Sequence, residues 1–310
     1  MDPHVVARLR CPVCADPLAE VDTGPARSLR CPRRHSFDVA RQGYVNLLTG
    51  RAPHVGDTAE MVAARTEFLA AGHYDPISAA LADAARRATA TLGTTDAPRT
   101  TDALGAPATD APRARGGGSA YPLVVDAGGG TGRHLAAVLA ALPEAVGLTL
   151  DVSKPALRRA AKAHPRAAAA LADTWQRLPL ADASVAVLLN VFAPRNGAEF
   201  RRVLDPGGTL LVATPADDHL TELVDTLGLL RVDPAKADRV AGSLAGHFAE
   251  VDATVLRSRL ALSRAEVGTL VGMGPSAWHA DPDRLAARVA ALAEPVPVTL
   301  AVRVGVHRPR

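Results

Sequence analysis

Val124-Val125-Asp126-Ala127-Gly128-Gly129-Gly130-Thr131-Gly132 decides the fold. An apolar run ends on an acid, passes through glycines and enters a stretch rich in alanine and leucine. That is a buried strand, a tight turn and the first turn of a helix, the unit that binds a cofactor in parallel α/β sheets. The glycines permit left-handed backbone and let a ligand come close to the main chain. Spacing separates the cofactor classes. A dinucleotide fingerprint needs G-x-G-x-x-G, and Arg133 stands where its third glycine would be. The pattern present is D-x-G-x-G-x-G, which suits S-adenosylmethionine, a molecule with no pyrophosphate to cradle. Asp126, Gly128, Gly130, Thr131 and Gly132 are the expected cofactor residues of this loop.

Downstream, apolar segments at 146–151, 185–191 and 208–214 read as strands, and 132–142 and 155–163 as helices. The alternation predicts a parallel sheet covered on both faces. Segments 254–262 and 297–307 complete it as an antiparallel pair. Asp151 closes the second strand, where a carboxylate accepts both ribose hydroxyls. Asp173 follows a third short segment (168–172) and is placed at the adenine amino group. The expected fold is Rossmann-like α/β, of the class I S-adenosylmethionine-dependent methyltransferase type, over 121–310.

Upstream lie three regions. Residues 94–120 are Thr, Ala, Pro, Asp and Gly with nothing to bury, a linker or surface excursion. Residues 57–93 read as two connecting helices broken at Gly72-His73-Tyr74-Asp75-Pro76, with Asp57 as N-cap and Met61, Val62, Ala64, Phe68, Leu69, Ile77, Leu81, Ala84 and Ala85 as the apolar face. Residues 1–56 are loop-rich and hold Cys11, Cys14 and Cys31, the only cysteines.

Cys11-Pro12-Val13-Cys14 is a C-x-x-C knuckle, and His35 stands four residues after Cys31. Three thiolates and one imidazole make a closed, structural zinc site of zinc-ribbon type. The sixteen residues between Cys14 and Cys31 suffice for a hairpin. A redox C-x-x-C opens a helix in a βαβ setting, which is absent here. Arg8, Arg10, Arg27, Arg30, Arg33, Arg34 and Arg41 surround the module; phosphate contacts and a solvated surface explain them equally well from charge alone.

The net charge of +3 is carried almost wholly by arginine. No apolar run approaches the roughly 18 residues of a membrane span. The first ten residues carry no signal-peptide apolar region. A cytoplasmic protein with no membrane partner is expected.

Further blocks carry a resemblance over nearly the whole chain except 94–120. They are FDVARQGYVNLL (37–48), DTAEMVAARTEFLAAGHY (57–74), LDVSKP (150–155), NVFAPRN (190–196), PGG (206–208), ATP (213–215) with His219, and GMGPSAWH (272–279). The chain resembles the large-subunit ribosomal RNA (guanine-N1)-methyltransferases. Its GGGTG and NVFAPRN are similar to the branch that confers resistance to tylosin and related macrolides. The resemblance implies methylation of N1 of guanine 748 rather than guanine 745 of 23S rRNA, in a hairpin lining the peptide exit tunnel, by a homodimer. It further implies that Cys11, Cys14, Cys31 and His35 hold zinc, and that Tyr74, the glycine loop and His219 contact the cofactor. His219 could alternatively act as a base or cap a helix.

No residue declares itself as a general base. Asn190, after the fourth strand, is expected to orient the guanine edge, with a strand-end turn role as the alternative. Trp175 and Trp278 are candidates for stacking on RNA bases or for packing. Two other functions compete: a small-molecule methyltransferase of antibiotic biosynthesis, which has no need of the zinc segment, and a non-catalytic RNA-binding module.

Overall fold

The computed structural model describes residues 1–22, 27–50, 56–92, 121–229, 242–274 and 281–310. Segment 94–120 and the sequence candidate Trp278 lie outside them.

The sheet expected from the glycine stretch is present. β5 (Leu123–Ala127), β6 (Val146–Asp151), β7 (Ala167–Leu171), β8 (Val185–Val191) and β9 (Leu204–Pro215) run parallel. β10 (Phe248–Leu262) and β11 (Val296–Pro309) add an antiparallel pair, giving the order β10-β11-β9-β8-β5-β6-β7-β4. The last member, β4 (Tyr44–Asn46), pairs in parallel with β7. Sequence reading placed it with the zinc segment. Three residues are too few to show a period of two, and its partner lies more than a hundred residues away.

The central strands alternate between two cores, as a pleat requires, apart from an irregularity in β8 between Val185 and Val187. Val124, Val187 and Leu189 face one core with α3 (Asp75–Leu92), α4 (Arg133–Ala141), α7 (Thr221–Leu227) and α8 (Arg264–Gly272). Val125, Leu148 and Leu188 face the other, with Phe200 and Val203 of α6 (Gly197–Val203). That second core also takes Val5, Val6, Leu9, Leu18, Leu29 and Cys31 of the N-terminal segment. The zinc segment is therefore a covering layer of the sheet. Arg10 N–H donates to the Pro179 carbonyl and Ala181 N–H to the Arg8 carbonyl, pinning the two together.

Within that segment, α1 (Pro3–Val6) leads to a three-stranded antiparallel sheet of β1 (Ala19–Asp22), β2 (Arg27–Arg30) and β3 (Ser36–Asp38). α2 (Ala59–Ala70) is capped by Thr58, whose side chain accepts from Met61 N–H. Asp57, expected as the cap, instead pairs with Arg65 at 2.7 Å. α2 and α3 break at Gly72, which has φ +85°. α5 (Lys154–Ala160) packs its Leu157 and Ala160 against β4 and β7.

Candidate active site and metal centre

The chain leaves β5 toward β6 and β7 on one side and returns through β8 and β9 on the other. The crevice at the carboxyl ends of β5 and β8 is thus the topological switch point, where open parallel sheets bind ligands. Gly128, Gly130 and Gly132 adopt φ of +74°, +55° and +76°, a region where a side chain is strained. Gly128 is also a close approach: a β-carbon there would come within 2.6 Å of Ala193 Cβ, in the turn after β8.

Three carboxylates follow three neighbouring strands at this edge. Asp126 is fully buried, and neither of its oxygens has a partner. Burial, and secondarily the charge of Asp151, pushes its pKa up to about 7. A buried unpaired carboxylate is costly unless a cation or donor arrives. A β-carbon at Gly129 would meet the Asp126 carboxyl carbon at 2.4 Å, so only the thickness of a glycine covers it. Asp151 accepts from Gly130 N–H (2.9 Å) and Ser153 N–H (2.8 Å), each oxygen keeping a lone pair for a ribose hydroxyl. Its pKa is raised, chiefly by burial. Asp173 accepts from Trp175 N–H (2.9 Å) and Gln176 Nε2 (3.3 Å). Thr131 is buried at the loop's end.

An aromatic wall stands opposite. The rings of Tyr74, Phe192 and His219 lie 6.1–6.4 Å apart in each pairing. Tyr74 is buried, which raises its pKa and keeps it a neutral phenol. His219 Nδ1 accepts from Ala301 N–H at 3.2 Å, and burial lowers its pKa to about 4. At neutral pH the imidazole is uncharged with its proton on Nε2, so it offers a donor and no free basic nitrogen. Its side chain caps no helix: α7 begins after Leu220, with no side-chain cap. Phe192 has φ +51° and is 39% exposed, an apolar ring held in a strained backbone at the crevice.

Asn190 lies inside β8, one residue before its end, and not after the strand. It shows no exposed surface, and its Nδ2 donates to the Ala127 carbonyl (3.2 Å) and the Pro194 carbonyl (2.8 Å). Its donors are spent tying the end of β5 to the turn that carries Phe192. The amide thus braces the turn with its donors, while its Oδ1 is buried without a partner and remains an unused acceptor; the exposed group beside it is Phe192. Sequence reading placed that turn at the target but did not single out its ring.

Arg65 was also missed. Its Nη2 donates to Asp57 Oδ2 (2.7 Å) and to the Met273 carbonyl (2.8 Å), while its Nε is buried without a partner. A β-carbon on Gly130 would lie 3.8 Å from Arg65 Cδ, so the arginine roofs the loop. These features fit S-adenosylmethionine: orphaned Asp126 for its positive charge, Asp151 for its ribose, and an arginine with an unused donor for its carboxylate.

The metal centre is assembled. One ligand atom each from Cys11, Cys14, Cys31 and His35 falls within 4.8 Å of the others. Cys14 and Cys31 sulfurs are 3.7 Å apart, and His35 Nδ1 lies 3.5 and 3.4 Å from Cys11 and Cys31 sulfurs. With Zn–S about 2.3 Å and Zn–N about 2.0 Å, tetrahedral edges come out near 3.5–3.8 Å, so the donor set fits zinc. Of the arginines around it, Arg8 and Arg10 donate to backbone carbonyls, Arg27 pairs with Glu20 and Arg33 with Asp16. Trp175 is 53% exposed and so is no packing anchor.

A glycine loop at the switch point, carboxylates on successive strands and a Cys3His ribbon define a Rossmann-like, class I methyltransferase with an N-terminal zinc ribbon. Residues 9–51 match the family model of the zinc ribbon described as RlmA, N-terminal. The whole chain is 67% identical over 310 residues to a Micromonospora griseorubida protein named provisionally as a 23S rRNA (guanine-N1-)-methyltransferase, with both chains fully covered. It is 52% identical over 309 residues to the 23S rRNA (guanine(748)-N1)-methyltransferase of Streptomyces fradiae, covering 100% of this chain and 99% of that one. A Bacillus subtilis relative, YxjB, is 30% identical over 89% of each chain. The chain belongs to the 23S rRNA (guanine-N1)-methyltransferase family.

Proposed function

We propose that this protein moves the methyl group of S-adenosylmethionine to N1 of guanine 748 in 23S rRNA, in the cytoplasm and as a homodimer, and that the modified ribosome resists macrolides. The observation that carries the reading is the exposed Phe192 ring beside the glycine loop. A flat apolar surface next to the methyl donor suits an unstacked base. The position follows the printed name of the Streptomyces fradiae relative. A dimer is in keeping with β10, a fifteen-residue edge strand whose Val251 and Val255 are exposed.

The bound donor supplies an electrophilic sulfonium methyl. The chain's own residues hold it and bring the base to it. Asp151 takes the ribose hydroxyls, Asp173 lies toward the adenine, Asp126 balances the donor's positive charge, and Arg65 meets its carboxylate. Tyr74 and the neutral His219 wall the methyl side. Phe192 stacks on the guanine, braced by Asn190. N1 must come within roughly 3–3.5 Å of the methyl carbon in line with the breaking C–S bond. Guanine N1 also has to lose its proton. His219 has no free basic nitrogen for it, so the proton leaves toward water. The zinc segment (residues 1–56), whose Val5, Leu9 and Leu29 pack on the sheet, serves as the RNA-recognition module.

Incubation with tritiated cofactor and unmodified 23S rRNA tests this. Tritium in the RNA and a new reverse-transcriptase stop at guanine 748 are expected, because an N1 methyl blocks pairing. A stop at guanine 745 corrects the position. Transfer to a macrolide precursor and none to RNA overturns the reading.

A further inference from the structure

We infer that the cleft between α2, α4 and α5 is a second RNA contact, one that grips the phosphodiester backbone beside the target guanine. The inference rests on the proposed rRNA substrate. The cleft has a volume of ≈ 430 Å³, and its polar lining is Thr66, Thr131, Arg133, Arg158, Arg159 and Lys162. Every charged group in that lining is a cation. The remaining lining residues, Leu69, Ala70, Ala136 and Ala163, are apolar, so the lining itself holds no acid to compensate the cations.

The state of these cations sets the cleft apart. Arg133 pairs with Asp75 at 2.8 Å. Arg158, Arg159 and Lys162 are exposed and make no side-chain hydrogen bond or ion pair among the described residues. Four of the arginines around the zinc ribbon, by contrast, are already engaged with backbone carbonyls or acids. The helix dipole favours Arg158 and Arg159 in the last turn of α5, but it disfavours Arg133 in the first turn of α4. Local helix energetics therefore explains only part of the cluster. Arg158 and Arg159 end α5, and Lys162 follows in the turn just beyond its C-cap Ala161.

Position supplies the second argument. A β-carbon on Gly132 would lie 3.1 Å from Ala160 Cα and 3.2 Å from Ala163 Cβ. The end of α5 is thus packed on the last glycine of the cofactor loop, and Thr131 belongs both to that loop and to the cleft. A strand whose guanine enters the crevice at Phe192 passes the loop to reach the cleft. Three exposed cations without partners among the described residues, Arg158, Arg159 and Lys162, suit a polyphosphodiester better than a single free phosphate.

The test compares R158Q/R159Q/K162Q with a control carrying R87Q/R201Q/R284Q, which loses the same charge elsewhere. Binding of the rRNA hairpin transcript that the wild type methylates is titrated from 0.05 to 0.5 M salt, alongside S-adenosylhomocysteine affinity and inorganic phosphate competition. Each lost phosphate contact flattens the log–log salt slope by about 0.7–0.9. The cleft variant should flatten it by about 2 and lose roughly 100-fold affinity at 0.1 M salt, with S-adenosylhomocysteine binding unchanged. An equal loss in the control, or an unchanged slope in the cleft variant, overturns the inference while leaving the proposed function standing. Competition by millimolar phosphate at constant ionic strength would mean a free-anion site and also overturns it. A wild type that methylates no rRNA takes down both.

Discussion

Replacing Asp126 by asparagine should remove most of the pH dependence of cofactor binding. Asp126 is fully buried, its oxygens are unpaired, and its pKa is pushed up to about 7 by burial and then by Asp151. With that value about a tenth of the carboxyl groups are ionised at pH 6 and about nine tenths at pH 8. If only the ionised form receives the donor's cationic end, affinity rises about tenfold over that interval. His134 and His219, both lowered to about 4 by burial, stay neutral throughout. The donor's amine titrates near 8 in either protein, so the difference between wild type and D126N isolates Asp126. The same shift has a stability consequence with a fixed sign. The folded pKa lies above the unfolded value of about 3.9, so the native state holds the extra proton. The unliganded wild type should lose stability as pH rises from about 4 to about 7, and D126N should lose less, because Asp151, whose pKa is also raised, titrates in both proteins. Isothermal titration of S-adenosylmethionine at pH 6, 7 and 8 reads the first effect, and urea unfolding at pH 4, 5, 6 and 7 reads the second. Equal pH slopes for the two proteins would refute the reasoning.

Other substitutions probe neighbouring groups. Gly128→Ala forces a contact with Ala193 and a strained φ, costing about 1–2 kcal/mol from the backbone alone; methyl transfer should fall far more than thermal stability, as a paired activity and melting measurement would reveal. Arg65→Met should weaken S-adenosylhomocysteine binding at least tenfold yet leave decarboxylated S-adenosylmethionine nearly unaffected; equal losses for both ligands would make Arg65 merely structural. Phe192→Ala should raise KM for RNA by about 1–3 kcal/mol of lost stacking and leave cofactor affinity intact, whereas Phe192→Tyr should retain RNA binding. Zinc chelation should unfold the ribbon and, because Leu9, Leu18 and Leu29 share a core with Leu148 and Leu188, lower the melting temperature of the whole chain in one transition; two separate transitions would contradict the shared core.

The parts of this molecule legible in its sequence are those written locally. Glycine spacing after Asp126 places the loop, and C-x-x-C with Cys31 and His35 places the metal ligands, because each pattern obeys a short-range geometric demand. Asp151 was readable because it closes a strand whose neighbour was already known. What could not be read depends on partners distant in sequence. β4 is three residues whose mate is β7. The bracing bonds of Asn190 to Ala127 and Pro194 could not be read, because they join the ends of β5 and of the turn after β8. Arg65 looks like one arginine among many until its position over Gly130 singles it out. The arginines of the ribbon divide in a way the sequence does not show: Arg8, Arg10, Arg27 and Arg33 bond to carbonyls and acids of the fold itself.

The central claim is that the crevice between β5 and β8 holds the methyl donor with its reactive end toward Phe192. A crystal structure with S-adenosylhomocysteine tests it most directly. The ribose hydroxyls should lie on Asp151, the homocysteine carboxylate at Arg65 and the sulfur facing the Tyr74–Phe192–His219 wall. A ligand bound elsewhere, or one whose sulfur points away from Phe192, would contradict it.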